Sequence, residues 1–262
     1  MRKTIGCLLC ACALLLAANG YAQKPLSVKP SRNYISVAVS EIVPFTVISV
    51  TDDIDVEFRQ GPASTASIYG SDNLVDLVDV SVDNGVLTVK YAQPVRVRGE
   101  RRLKVMLSGP ELTRVNVQND GEVDIEGTLN AKDLELHAMG LGDISADFVQ
   151  ADSVTLHATG RADIDVSNVT AQTLAAKAEG RGEIEASGSV TRATLENFGS
   201  GDIDADDLRA DMVTAVVNGS GDVSCYAVKG LDAQVNGSGR VKYKGYPAAL
   251  TKTGKAKKII RD

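Results

Sequence analysis

The chain is short of aromatic residues. They make up 4% of its 262 residues, and tryptophan is absent. A core of this composition must be filled with aliphatic and small side chains. Two histidines and four cysteines leave little material for a transition-metal centre. The charge is mildly acidic, 28 basic against 34 acidic residues or −6, which excludes the basic footprint of a general nucleic-acid binder. Beyond the N-terminus no apolar run reaches the ~20 residues of a membrane helix, so no transmembrane segment is expected in the mature chain. Seven prolines and 24 glycines follow no collagen period. At 44% hydrophobic the chain is too apolar to be disordered.

The N-terminus has the parts of an export signal. Arg2 and Lys3 precede an apolar run from Ile5 to Ala18, and Gly20-Tyr21-Ala22 offers a small-x-small cleavage site. The expected mature chain starts at Gln23, and its location is the periplasm or the cell surface. Cleavage takes Cys7, Cys10 and Cys12 with it and leaves Cys225 alone, so no internal disulfide is expected. Loss of Arg2 and Lys3 also leaves 26 basic residues against 34 acidic, or −8.

A repeat of about twenty residues then dominates. Asn119-Asp120-Gly121-Glu122-Val123 returns as Gly140-Leu141-Gly142-Asp143-Ile144, and five further copies end at Ile164, Ile184, Ile203, Val223 and Val241. The closing aliphatics are spaced 21, 20, 20, 19, 20 and 18 residues apart. Between them apolar and polar residues alternate with period two, the pattern of half-buried strands. Inward positions are expected at Leu134, Val154, Leu174, Ala193, Val213 and Leu231, and at Leu129, Val149, Val169, Val190, Leu208 and Val228. Helical repeats are excluded, because paired glycines every twenty residues cost about 1 kcal/mol each inside a helix and no 3.6-residue stripe is present.

The fold expected is therefore all-β: a single-stranded parallel β-helix, or β-solenoid, in which each repeat is one coil and each strand pairs with its copy one coil away, ~4.8 Å distant. Corner glycines are expected to supply positive φ and close stacking. The expected organisation is a signal peptide (1–22), a leader (23–36), a less regular β-rich region (37–108), the solenoid (109–247) and a basic cap or tail (248–262). Residues 37–108 read either as wider coils or as a β-sheet cap, with a hairpin turn at Asp83-Asn84-Gly85.

The start Phe45-Thr46-Val47-Ile48-Ser49-Val50, the turn Val82-Asp83-Asn84-Gly85-Val86-Leu87-Thr88-Val89 and the recurring Gly-Ser-Gly-Asp-Ile/Val resemble the head GIN domain family of auto-transporter adhesins, common in Bacteroidetes-type bacteria, over roughly residues 40–247. The resemblance implies a right-handed helix and an adhesin-like role. One departure is that no barrel of alternating ~10-residue strands follows the last repeat, which speaks against self-export.

The candidate surface is the file of acids before each closing aliphatic: Glu122, Asp143, Asp163, Glu183, Asp202 and Asp222. A second file follows with Asp124, Asp165, Glu185 and Asp204. Like charges ~4.8 Å apart repel by ~0.9 kcal/mol per pair even in water. The expected compensation is hydrogen bonding to Gly/Ser corner amides and pairing with Arg161 and Arg181. A calcium stripe is the alternative, since hard cations want several carboxylate oxygens, and with it a calcium-dependent polysaccharide lyase using Arg161 or Arg181. The repeats carry no insertion long enough to wall a cleft. The expectation is accordingly a non-enzymatic protein with no required cofactor, binding a cell-surface glycan or envelope protein, or serving structurally in the envelope. His137 and His157 read as a plain surface stripe, with metal binding or joint titration as the alternative. The run Arg96, Arg98, Arg101, Arg102 and Lys104 reads as one solvated strand face, with contact to an anionic glycan or lipid headgroup as the alternative. Cys225 reads as a small core residue.

Overall fold

The computed structural model describes residues 24–100 and 102–262. The expected signal peptide lies outside the described residues, as does Arg101. The chain forms stacked parallel coils, a β-solenoid of about seven turns extended at both ends.

Two parallel ladders make the walls. The first carries one aliphatic file inward: Leu87, Ile48, Val115, Leu136, Leu156, Ala176, Leu195, Ala215 and Ala233, in register on successive layers. The second carries Val105, Val56, Val123, Ile144, Ile164, Ile184, Ile203, Val223, Val241 and Ile259. All nineteen side chains are buried. Period-two alternation sends their neighbours outward, so one residue of slip would expose a whole file. Burial of each aliphatic side chain contributes about 1.5–3 kcal/mol, and that repetition fixes the register.

On one side the ladders meet at the glycine corner. Positive φ occurs at this corner in the early coils, as at Gly140 (91°) and Gly160 (91°), and again at Gly254 (66°) in the terminal layer. Later coils need glycine for a different reason: a Cβ on Gly219 would collide with the Gly199 carbonyl oxygen of the coil below. Backbone approach, more than left-handed geometry, therefore preserves the glycine file.

On the other side the coil bends through bulges, and the register shifts are concentrated there. This bend absorbs the irregular spacing. One residue fewer between Ala186 and Gly188 than between Val166 and Val169 accounts for the 19-residue repeat. Near the end, Ala227 rather than Val228 comes into register with Ala210. Val228, expected inside, is exposed, and Ala227 is buried in its place. Val190 stands opposite Ala171 and Ala210, not Val169 and Leu208, but keeps its place in the core.

The N-terminal region combines both expected forms. Strands Val47–Val50 and Asp55–Gln60 form a regular layer directly on Arg114–Asn119 and Glu122–Asn130. The chain then leaves the helical path. Val86–Tyr91 and Leu103–Gly109 add a further parallel layer beyond the first. Antiparallel strands cover it: Val78–Asp83 on Val86–Tyr91, and Thr65–Ser71 on Leu103–Gly109, with Tyr34–Ala38 outside. The expected leader thus contributes strands, Leu26–Val28 and Tyr34–Ala38. Phe45 and Phe58 meet edge to face at 6.4 Å and plug the core there. The 53 residues between Gln60 and Arg114 explain why the repeat is invisible before residue 119.

At the far end Ala249–Gly254 and Ile259–Arg261 stack as one more layer. Lys255 Nζ donates to the Gly237 carbonyl (2.6 Å) and Lys258 Nζ to that of Ser238, so cations occupy carbonyls that an open end leaves without a strand partner.

Candidate binding surface

The acidic file stacks as the sequence implied, but its hydrogen bonds differ from expectation. Each aspartate accepts from the backbone N–H of the next residue in the file, an acid or finally Arg240, not from a Gly/Ser amide. Asp143 Oδ1 accepts from Asp163 (3.2 Å), Asp163 Oδ1 from Glu183 (2.6 Å), Asp202 Oδ1 from Asp222 (2.7 Å) and Asp222 Oδ1 from Arg240 (2.9 Å). The aspartate side chain is short enough to bend back to its own ladder, so it supplies an acceptor where the corner interrupts the backbone sequence of rungs. At the Glu122 rung the Asp143 N–H donates to the Gly121 carbonyl instead (3.0 Å).

Among the described residues, the ion pairs on this face lie at its ends. Lys104 stands 3.6 Å from both Glu57 and Asp124. At the other end Arg240 reaches Asp222 at 2.7 Å, Lys242 reaches it at 3.0 Å, and Lys244 reaches Asp206 at 2.8 Å. Arg161 and Arg181 form no ion pair among the described residues and project into solvent at the corner, which corrects the expected pairing with Asp163 and Glu183. The middle of the face is therefore bare carboxylate: Asp163, Asp165, Glu183 and Glu185 line one shallow depression. Burial, followed by neighbouring acids, pushes the Glu183 and Glu185 carboxyls above their ordinary range. Asp222 moves the other way. Burial opposes its ionisation, but the Arg240 and Lys242 bonds outweigh that and hold it low. Among the described residues no three His, Cys, Asp or Glu side chains are grouped to hold a metal ion.

The first ladder presents the second face, flat and polar. One outward file runs Arg114, Glu135, Thr155, Ala175, Thr194, Thr214, Asp232 and Thr251. The adjacent file includes His137, His157, Lys177 and Glu196. The His137 and His157 rings pack edge to face at 5.8 Å. His157 Nε2 lies 2.8 Å from Glu179 Oε2, while burial pulls the His137 imidazole below its usual pKa. With Thr155, Lys177 and Thr194 these rings edge a shallow hollow.

Sequence reading missed Asn197. It occupies the inward file of Ala178, Val217 and Val235 and is completely buried. Its Nδ2 donates to the Gly201 carbonyl (2.7 Å) and to that of Asp222 (3.2 Å), and its Oδ1 accepts from Gly199 N–H (2.9 Å). One side chain thus clamps two successive corners. The available signal was a polar residue six positions before a closing aliphatic, where other coils carry Ala or Val. Cys225, by contrast, fits its expected place: it is buried between Ala205 and Tyr243 in register, and burial pushes its thiol up to about 12.

A family model described as "Putative auto-transporter adhesin, head GIN domain" matches residues 44–247. No curated protein matches the chain. Among solved structures, one described as a putative adhesin from Bacteroides fragilis is 28% identical with a TM-score of 0.66, covering 89% of this chain and 98% of its own. One described as a putative lipid binding protein from Parabacteroides distasonis is 24% identical, with a TM-score of 0.80 over 90% of this chain and 99% of its own. An adhesin-described structure from Parabacteroides merdae, 20% identical, has the same TM-score and coverage. The last two share the fold. The family match takes in the N-terminal layers, the acid ladder and every repeat, and the chain belongs to this head GIN domain family.

Proposed function

We propose that this is an exported, non-enzymatic adhesin-like protein that presents the flat polar faces of its solenoid to a glycan or protein of the cell envelope. The observation that carries this reading is the unbroken register of the outward files from Arg114 to Thr251. Side chains repeated at the coil spacing offer equivalent contacts along an extended polymer or a partner's sheet, so that many weak contacts add. Asp143, Asp163, Glu183, Asp202 and Asp222, with the free Arg161 and Arg181, form the charged margin of such a contact. Both hollows on these faces are shallow, which suits surface docking better than desolvation of a small substrate. The family's adhesin description and the export-signal pattern at residues 1–22 support an envelope location. The test is a glycan array combined with a pull-down from native envelope. Retention of a defined glycan or envelope protein, lost on reversing the charge of Arg161 and Arg181, is the expected result. A blank array and an empty pull-down overturn the proposal. Release of unsaturated product from uronic-acid polymers would establish a lyase instead.

A further inference from the structure

The N-terminal cap carries a charged feature that the solenoid faces do not explain. On its outer sheet Tyr34–Ala38, Thr65–Ser71 and Leu103–Gly109 are antiparallel neighbours. Alternation buries Ile68, Leu103 and Val105 beneath and places Tyr34, Tyr69 and Arg102 on top. The two tyrosine rings stack at 6.2 Å and 20°, and the Arg102 guanidinium lies 5.7 Å from the Tyr34 ring. Tyr34 remains 38% exposed, so part of this residue is open to solvent beside its two ring neighbours.

Beside it is a hollow of about 240 Å³ lined by Lys29, Arg32, Tyr34, Arg98 and Glu100. Among the described lining residues the one carboxylate is Glu100, which pairs with Arg102 Nε at 2.9 Å. The nearby Asp72 is taken too: it accepts from the Ser31 hydroxyl and from Asn33 Nδ2 (2.9 Å), bonds that hold its carboxyl below the usual range. Lys29, Arg32 and Arg98 form no ion pair among the described residues, and with Arg102 against Glu100 and Asp72 they leave the hollow net positive on a protein of net charge −6.

The loop that presents them is fixed. Ser31 N–H donates to Asn73 Oδ1 (2.9 Å), Asn73 Nδ2 to the Lys29 carbonyl (2.9 Å) and the buried Ser71 Oγ to the Ser31 carbonyl (2.9 Å). Arg98 is tied by its own N–H to the Val28 carbonyl at 2.8 Å. The backbone that carries these cations is thus held in place by the fold, and an anion entering the hollow meets a positive site that needs no backbone reorganisation.

We infer that this hollow is a binding site for a sugar carrying an anionic substituent. The carboxylate, sulfate or phosphate sits among Lys29, Arg32 and Arg98, and the apolar face of the ring lies on Tyr34. The site is separate from the solenoid faces and does not depend on the function proposed for them.

The test is calorimetric titration of the purified protein with pentagalacturonate, a chondroitin sulfate hexasaccharide and a phosphorylated pentamannose. Methyl-esterified pentagalacturonate and phosphatidylglycerol–phosphatidylcholine vesicles run in parallel. At least one anionic oligosaccharide is expected to bind, with affinity falling as salt rises. The Arg32→Gln/Arg98→Gln double variant is expected to weaken it by about tenfold or more, the scale of one lost charge-assisted hydrogen bond. Tyr34→Ala is expected to weaken it by about threefold through loss of the ring contact. Lys257→Gln, at the opposite end, should leave it unchanged. Failure of all three oligosaccharides to bind, binding indifferent to the arginine and tyrosine variants, or equal binding of the methyl ester overturns the inference. Capture of the vesicles without any oligosaccharide overturns it also, in favour of a lipid headgroup site. Thermal melts of each variant separate loss of binding from loss of fold.

Discussion

Asn197→Ala tests the physical account of the corners most directly. The side chain is wholly buried and makes three hydrogen bonds, to Gly199 N–H, the Gly201 carbonyl and the Asp222 carbonyl. Truncation does not orphan all three. Asp222 keeps the Ile203 N–H at 3.0 Å. Gly199 N–H and the Gly201 carbonyl lose the partners described here, at about 1–3 kcal/mol for each unsatisfied group, less where water reaches the half-buried glycine. A loss of about 3 kcal/mol follows, or about 6–12 °C in melting temperature for a chain of this size. The assay is thermal and urea unfolding followed by circular dichroism, with two companion variants. Asn197→Val matches the apolar neighbours Ala178 and Val217 in its file and fills the space, yet orphans the same groups, so it should not recover the loss. Asn197→Asp sets a carboxylate against two carbonyl oxygens and should be worse than alanine. If the valine variant is as stable as the parent, the site is simply a packing position and the clamp argument is wrong.

Gly219→Ala places a Cβ against the Gly199 carbonyl oxygen, so it should lower the melting temperature sharply, whereas Gly85→Ala, which meets no neighbour but sits at φ 79°, should cost only the local strain of about 1–2 kcal/mol. The raised Glu183 and Glu185 carboxyls mean that the folded state holds its protons more tightly than the unfolded one; their unfavourable contribution is complete above the folded pKa and disappears as pH falls through it. Glu185→Gln should therefore raise the melting temperature at about pH 7 and do little at about pH 4, as scanning calorimetry across pH would show. Cys225, with its thiol at about 12, should react with a thiol reagent such as dithionitrobenzoate only as the chain unfolds; rapid labelling of the native protein would contradict its burial. Calcium should move the melting temperature no more than magnesium does, because the aspartates already accept backbone N–H groups; a calcium-specific rise abolished by Asp143→Ala with Asp163→Ala would establish the metal stripe instead.

The solenoid was legible because its physics is local and repeated. Each coil restates one pattern of inward aliphatic, outward acid and corner glycine, and seven copies outweigh any single ambiguous strand. The acid file was legible for the same reason, but its bonding was not. Whether an aspartate turns to a glycine amide or to the next acid's N–H is decided by the path of the backbone through the corner, which spacing alone does not contain. Arg161 and Arg181 failed in the same way: proximity in sequence to Asp163 and Glu183 did not become an ion pair, because the corner turns them outward. Val228 failed because a bulge that shortens the bend brings Ala227 into the core position.

By itself, then, the amino-acid sequence determined the class of fold, the register of the long ladders and the concentration of acid on one face, since all three follow from periodic burial. Tertiary structure alone decided how the helix ends. Between residues 61 and 113 the chain leaves the coil path, lays antiparallel strands over a further parallel layer and so brings Lys29, Arg32 and Tyr34 beside Arg98, more than sixty residues away. Such convergence has no period to betray it. It depends on long-range pairing chosen to close an exposed edge, a free energy that belongs to the assembled sheet and to no stretch of the chain.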